Sequence, residues 1–178
     1  MTSRIGKLPI KIPKDIEVTI EGTVITFKKS GRVKTYNFGN MVEVFLEDRN
    51  LSIKEKPNVS KSVVFSGLHR SNLNNMVTGL AEGFKTILEY NGIGYRAAVA
   101  KDFLILGLGY SHDIVVRIPS GITVTPEKPN FIVVQGDDRE AVGNFSSRII
   151  SMRTTEPYKD KGIKYKDQII LRKEGKKK

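Results

Sequence analysis

One stretch in the first half of this chain recurs in the second, and that repeat limits the fold more than any other feature. Val42-Glu-Val44-Phe-Leu-Glu47-Asp-Arg-Asn50-Leu51-Ser-Ile53 can be laid on Ile122-Thr-Val124-Thr-Pro-Glu127-Lys-Pro-Asn130-Phe131-Ile-Val133 without a gap. Farther on, with a shorter offset, Arg70, Leu73, Met76 and Leu80 fall on Arg139, Val142, Phe145 and Ile149 at the same helical spacing. Both halves therefore read strand, turn, strand, helix. The change of offset leaves about eleven more residues between strand and helix repeat in the first half. Upstream of each repeat lies a pair of alternating segments that reads as a hairpin: Ile16 to Ile20 with Val24 to Lys28, and Tyr95 to Ala100 with Phe103 to Leu108. The expected turns are Glu21-Gly22 and Lys101-Asp102. Two periods are too few for a solenoid, so duplicated domains are expected.

The fold class expected from this is α+β, with two duplicated domains, each a mostly antiparallel β-sheet covered by one α-helix, plus basic extensions at both ends. The boundary falls near Ala81-Glu82-Gly83, where a helical pattern ends and glycine supplies a C-cap. The division is a basic N-terminal arm at 1–8, a first domain at 9–82, a second at 83–152 and a basic loop and tail at 153–178. In the second domain Asp137 or Asp138 can cap the helix, and Ala141, Val142, Phe145 and Ile149 form its apolar stripe. The first helix, from about Ser60 to Leu80, is interrupted by Gly67, Asn72, Asn74 and Asn75, so its ends are less sharply marked.

Charge separates the ends from the body. Residues 1–14 hold four cations and no acid, residues 153–178 hold ten cations against four acids, and the 138 residues between them carry a net charge of only +1 out of +11. Basic ends on a nearly neutral body are the footprint of arms that follow a phosphate backbone. The 39% hydrophobic content suffices for a core. The absence of cysteine excludes disulfides, a thiolate nucleophile and cysteine-ligated metal. The opening residues contain no apolar region of the kind a secretory signal needs, and the apolar run Phe103 to Leu108 is too short to cross a bilayer. A soluble, unprocessed protein is expected.

Catalytic chemistry has little to stand on. His69 and His112 lie in different domains, neither with a carboxylate at helical ligand spacing, so metal and general-base roles are not expected and no cofactor is implied. Glu47-Asp48 and Asp137-Asp138 are explained by turn and cap chemistry. Gly92-Ile-Gly94-Tyr-Arg-Ala97 matches a dinucleotide fingerprint, but that motif works only where the glycines turn a strand into a helix. Here the following residues alternate as a hairpin does.

The segment Glu156 to Lys166 carries more. Pro157 and Gly162 disfavour a helix, so an extended loop is expected. Lys159, Lys161, Lys164 and Lys166 supply phosphate contacts, Tyr158 and Tyr165 stack on bases or cover sugars, and Gly162 lets the backbone approach a nucleic-acid strand.

The same segment, Thr155-Glu-Pro-Tyr-Lys-Asp160-Lys-Gly-Ile163, resembles the C-terminal signature of the sixth protein of the large ribosomal subunit, which typically reads Pro-Glu-Pro-Tyr-Lys-Gly-Lys-Gly-Ile. Ser3-Arg-Ile-Gly-Lys-Leu-Pro-Ile10, the span from Gly92-Ile-Gly-Tyr-Arg-Ala97 to Gly109-Tyr-Ser-His112, and the ending Arg172-Lys-Glu-Gly-Lys-Lys177 are similar to the bacterial-type family as well. Thr155 and Asp160 depart from the pattern, and a carboxylate at 160 argues against a phosphate contact by that residue. The resemblance implies a structural, non-enzymatic constituent of the large subunit. Such a protein binds large-subunit ribosomal RNA near the sarcin-ricin loop and stalk base, supports translation in the cytoplasm, and has ribosomal proteins as neighbours and translational GTPases nearby. It implies no membrane and no small-molecule substrate. Carried onto this sequence, the RNA contacts are Tyr158, Lys159, Lys161, Gly162, Lys164 and Tyr165. Arg172, Lys173, Lys176, Lys177 and Lys178 follow the backbone, and Ser3, Arg4 and Lys7 form a second group. The competing reading is a free-standing basic nucleotide-binding enzyme that uses the Gly92 loop.

Overall fold

The computed structural model describes residues 4–56, 62–127 and 130–175. The chain divides into two compact units, one ending at Gly83 and the other beginning at Phe84. The first contains β1 (Ile10–Lys11), β2 (Glu17–Glu21), β3 (Val24–Lys29), β4 (Arg32–Asn37), β5 (Val42–Glu47), β6 (Asn50–Glu55) and α1 (Ser62–Ala81). The second contains β7 (Phe84–Asn91), β8 (Arg96–Ala100), β9 (Phe103–Gly107), β10 (Ile114–Arg117), β11 (Ile122–Glu127), β12 (Phe131–Gly136), α2 (Arg139–Met152) and β13 (Gly162–Tyr165).

Each unit builds two small antiparallel sheets rather than the single sheet expected. The first unit has a β2-β3-β4 meander and a β1-β6-β5 sheet, and the second has a β8-β9-β10 meander and a β11-β12-β7-β13 sheet. The duplication thus extends to β1 and β7, which pair with the equivalent strands β6 and β12. Among the described residues the one strand without a counterpart is β13, which begins at the end of the signature segment.

The ungapped repeat is out of register in its second strand. Glu47 faces Asn50 across a two-residue turn, whereas Glu127 faces Phe131 across three residues. Asp48 and Arg49 make the tight turn with φ of 44° and 62°, as a primed hairpin turn requires. Because strand side chains alternate with period two, the extra residue moves the equivalence by one. Leu51 and Ile53, buried in the first core, correspond to the buried Ile132 and Val134 and not to Phe131 and Val133. The helix repeat has the expected register: Leu73 and Leu80 are buried in one core, Val142, Phe145 and Ile149 in the other. The additional residues of the first half include two extra turns at the start of α1. Asp138 is the N-cap of α2, accepting from the Glu140 N–H at 3.0 Å. Gly83, at φ 77°, ends α1 by donating its N–H to the Thr78 carbonyl at 3.3 Å.

His69 packs within the first unit and not in a ligand cluster. Its Nδ1 lies 2.8 Å from the Tyr36 hydroxyl, Asn72 donates to the same hydroxyl oxygen at 3.0 Å, and the Phe65 ring stacks at 6.1 Å. Asn72 donates to the phenolic oxygen, which leaves the phenolic proton available to Nδ1 of a neutral imidazole. Burial pushes the His69 pKa down. Below an unfolded value of about 6.5 the unfolded chain binds this proton more readily than the folded one, so stability falls as pH drops from there toward the lower folded value. Denaturant titrations at pH 7.5 and 5 should show the first unit weakening at the lower pH. His69→Gln should weaken less, and an equal loss in both proteins would refute the assignment.

Candidate nucleic-acid interface

The signature segment is folded more tightly than an extended loop. After α2, the Glu156 N–H donates to the Lys161 carbonyl at 2.8 Å and the Asp160 N–H to the Glu156 carbonyl at 3.0 Å, closing a turn over residues 156–161. The chain then enters β13, which pairs antiparallel to β7, with Ile163 opposite Tyr90. Ile163 is fully buried in the second core, and burial of such a side chain stabilises by about 1.5–3 kcal/mol. The segment therefore forms an edge strand of the body.

Two of the expected contact residues face inward. Gly162 adopts φ 139°, and a Cβ at this position would stand 2.6 Å from the Thr154 carbonyl oxygen and from Thr155 Cα. Its lack of a side chain admits the chain's own backbone. Lys164, with only 15% of its side chain exposed, points its ammonium between Asp160 Oδ2 at 3.4 Å and Glu89 Oε2 at 3.8 Å. Lys164 is engaged in this ion pair.

Asp160 is the centre of the arrangement. It is 6% exposed, sits in the left-handed region at φ 55°, and accepts from both Lys164 and Arg172, the latter at 3.0 Å. Burial pushes its carboxyl upward, but the hydrogen bonds and charges of Arg172 and Lys164 outweigh that and hold it below the usual carboxylate range. The Lys173 N–H donates to the Pro157 carbonyl at 3.0 Å, so the tail returns across the turn. Tyr158, Lys159, Arg172 and Lys173 are thereby brought onto one small surface. Tyr158 and Tyr165 are exposed, as are Lys159, Arg172 and Lys173, while Lys161 is half-exposed.

In the first unit Arg4 and Lys7 are both exposed. Their turn is fixed where the Leu8 N–H donates to the Ile5 carbonyl at 3.2 Å and where Arg70 donates to the Leu8 carbonyl at 3.3 Å. Ser3, Lys176, Lys177 and Lys178 lie outside the described residues. Glu89 was not legible as part of this site, because it lies on β7 more than seventy residues upstream and only sheet pairing brings it to Lys164. The Gly92 loop connects β7 to β8, strand to strand, so no helix N-terminus is there to face a pyrophosphate. Gly92 instead lets the Tyr95 ring lie close, 2.6 Å from where a Cβ would stand.

Comparison with known proteins gives a consistent result. The family model described as ribosomal protein L6 matches residues 91–166. A protein of Trichlorobacter lovleyi named large ribosomal subunit protein uL6 is 46% identical over 174 residues, spanning 98% of this chain and 97% of its own length. Proteins of the same name from Nitratiruptor sp. (44% over 174 residues, 98% and 97%) and Methylobacterium sp. (41% over 176 residues, 99% of each chain) match equally broadly. The chain belongs to the ribosomal protein L6 family.

Proposed function

We propose that the chain is a structural constituent of the large ribosomal subunit, non-enzymatic, that binds large-subunit ribosomal RNA near the sarcin-ricin loop and the stalk base and supports translation in the cytoplasm. Its partners on this reading are that RNA and neighbouring ribosomal proteins, with translational GTPases close by. The observation that carries it is the surface of the 156–161 turn, where Tyr158, Lys159 and Lys161 stand with Arg172 and Lys173 of the returning tail. Cations next to exposed aromatic rings on a fixed backbone suit phosphate contact combined with stacking on unpaired bases. Arg4 and Lys7 provide a second contact, and Ser3 and the terminal lysines 176–178 extend the two groups. Gly162 and Lys164 serve the reading indirectly by holding the turn in shape.

The test is the salt dependence of binding to a large-subunit ribosomal RNA transcript. If about half of the fourteen terminal cations neutralise phosphates, log K falls with log salt at a slope of roughly −5 to −6. The double variant Lys159→Ala, Lys161→Ala should make the slope shallower by about 1.4–1.8. A slope for the unmodified chain shallower than about −2 would rule out the ends as the binding element.

A further inference from the structure

We propose that Tyr110, His112 and Arg153 form a second RNA contact, a stacking platform for an unpaired base, adjoining the 156–161 turn. The proposal rests on the RNA-binding reading and adds a site on a different loop. Tyr110 and His112 lie between β9 and β10, and both are exposed. Their rings are near-parallel, 23° apart in plane with centroids 6.3 Å apart, and the Arg153 guanidinium lies 4.9 Å from the Tyr110 centroid.

The platform is held from below. Gly109, at φ 74°, turns the chain so that Tyr110 leaves the sheet, and the Tyr110 hydroxyl donates to the Met152 carbonyl at 3.1 Å. The Arg153 carbonyl accepts from the Ile163 N–H at 2.9 Å, which ties the platform directly to β13. The Arg153 guanidinium is charged at its ordinary value, and hydrogen bonding to Tyr110, followed by the charge interaction with Tyr95, pushes it further up.

Exposed planar rings on a fixed backbone, with a guanidinium on one of them, have the composition that binds single-stranded nucleic acid: each base has a π-face to stack, and the cation serves the adjoining phosphate. Core packing does not account for two rings left in solvent. A folded RNA offers such bases in loops and bulges.

Binding of the full chain to a large-subunit ribosomal RNA transcript tests this. His112→Ala, which within the protein loses the ring contact with Tyr110 and a 3.5 Å contact to Ser111, and Tyr110→Ala should each weaken binding about tenfold with the salt slope unchanged. Tyr110→Phe should keep the affinity, since the ring remains, and Arg153→Gln should make the slope shallower by about 0.7. If Tyr110→Ala loses stability, His112→Ala still decides the matter. Normal binding by His112→Ala and Tyr110→Ala, alongside weakened binding by the Lys159, Lys161 double variant, would overturn the platform and leave the RNA reading standing. So would variants that bind the transcript normally but fail to enter reconstituted large subunits, an outcome that would assign the patch to a protein neighbour. Failure of the unmodified chain to bind would instead overturn the RNA reading.

Discussion

Gly162→Ala is expected to lower the unfolding temperature of the second unit by about 12 °C or more. Two separate costs add at this one position. An L-residue is strained at φ 139°, where only glycine is at ease, and its Cβ would lie 2.6 Å from two backbone atoms of Thr154 and Thr155. Neither obstacle is the end of a flexible side chain, so relief requires β13 and the α2 C-terminal segment to part. That separation would break the bond from the Ile163 N–H to the Arg153 carbonyl and withdraw Ile163 from the core. Strain and overpacking together come to about 3–5 kcal/mol, and a unit of this size loses about 4–8 °C per kcal/mol. Gly175→Ala, in open space with no unusual φ, is the control and should change stability by no more than about 0.5 kcal/mol. A shift of less than about 3 °C for Gly162→Ala, read by thermal circular dichroism, would mean that the turn tolerates a side chain.

The same residue illustrates what sequence reasoning reached and what it did not. A glycine next to lysines invites the idea of a nucleic-acid backbone coming close, and locally nothing contradicts it. The backbone that comes close belongs to Thr154 and Thr155, brought there by the 156–161 turn and the parallel bridge between Thr154 and Ile163. Alternation and helical spacing made the repeat, the α+β class, the hairpin at Lys101-Asp102 and the cap at Asp138 legible, because each depends on neighbours a few residues apart. The one-residue difference between the two β-turns was not legible. Apolar residues on both faces of Phe131 to Val134 let the sequences align equally well in the wrong register. Strand β1, only two residues long, and strand β13, read as a loop because of Pro157 and Gly162, are specified by the strands they join and not by their own composition.

For the candidate site, Tyr158, Lys159, Lys161, Arg172 and Lys173 were visible as charge and aromaticity. The buried partners were not. A carboxylate at 160 departs from the usual glycine, and sequence alone suggested repulsion of phosphate. In the fold that carboxylate turns away from solvent and neutralises Lys164 and Arg172, so it bears first on the position of the tail.

Lys164→Met is expected to destabilise the second unit by about 2–4 kcal/mol, because removing one member of a buried ion pair leaves its partner uncompensated. The value sits below that of a fully enclosed pair, since Arg172 remains on Asp160 and both Arg172 and Glu89 reach solvent. Asp160→Gly should cost less: it relieves a left-handed backbone at φ 55°, worth about 1 kcal/mol, and Lys164 keeps Glu89. The double variant should then be more stable than Lys164→Met alone, a sign that additive independent effects cannot produce unless Asp160→Gly is itself stabilising. Acid titration separates the causes further. In the unmodified chain the folded pKa of Asp160 is below the unfolded value of about 3.9, so its contribution is whole above that value and is lost as pH falls through the lower folded one. Lys164→Met removes one of the two donors while burial still pushes the carboxyl upward, so acid unfolding should begin at a higher pH than in the unmodified chain. Asp160→Gly has no carboxyl to titrate there, and adding Lys164→Met to it, which then removes only the longer contact to the partly exposed Glu89, should move the onset much less than in the unmodified chain. If Lys164→Met shifts the acid onset by the same amount in both backgrounds, the cation acts on some group other than Asp160.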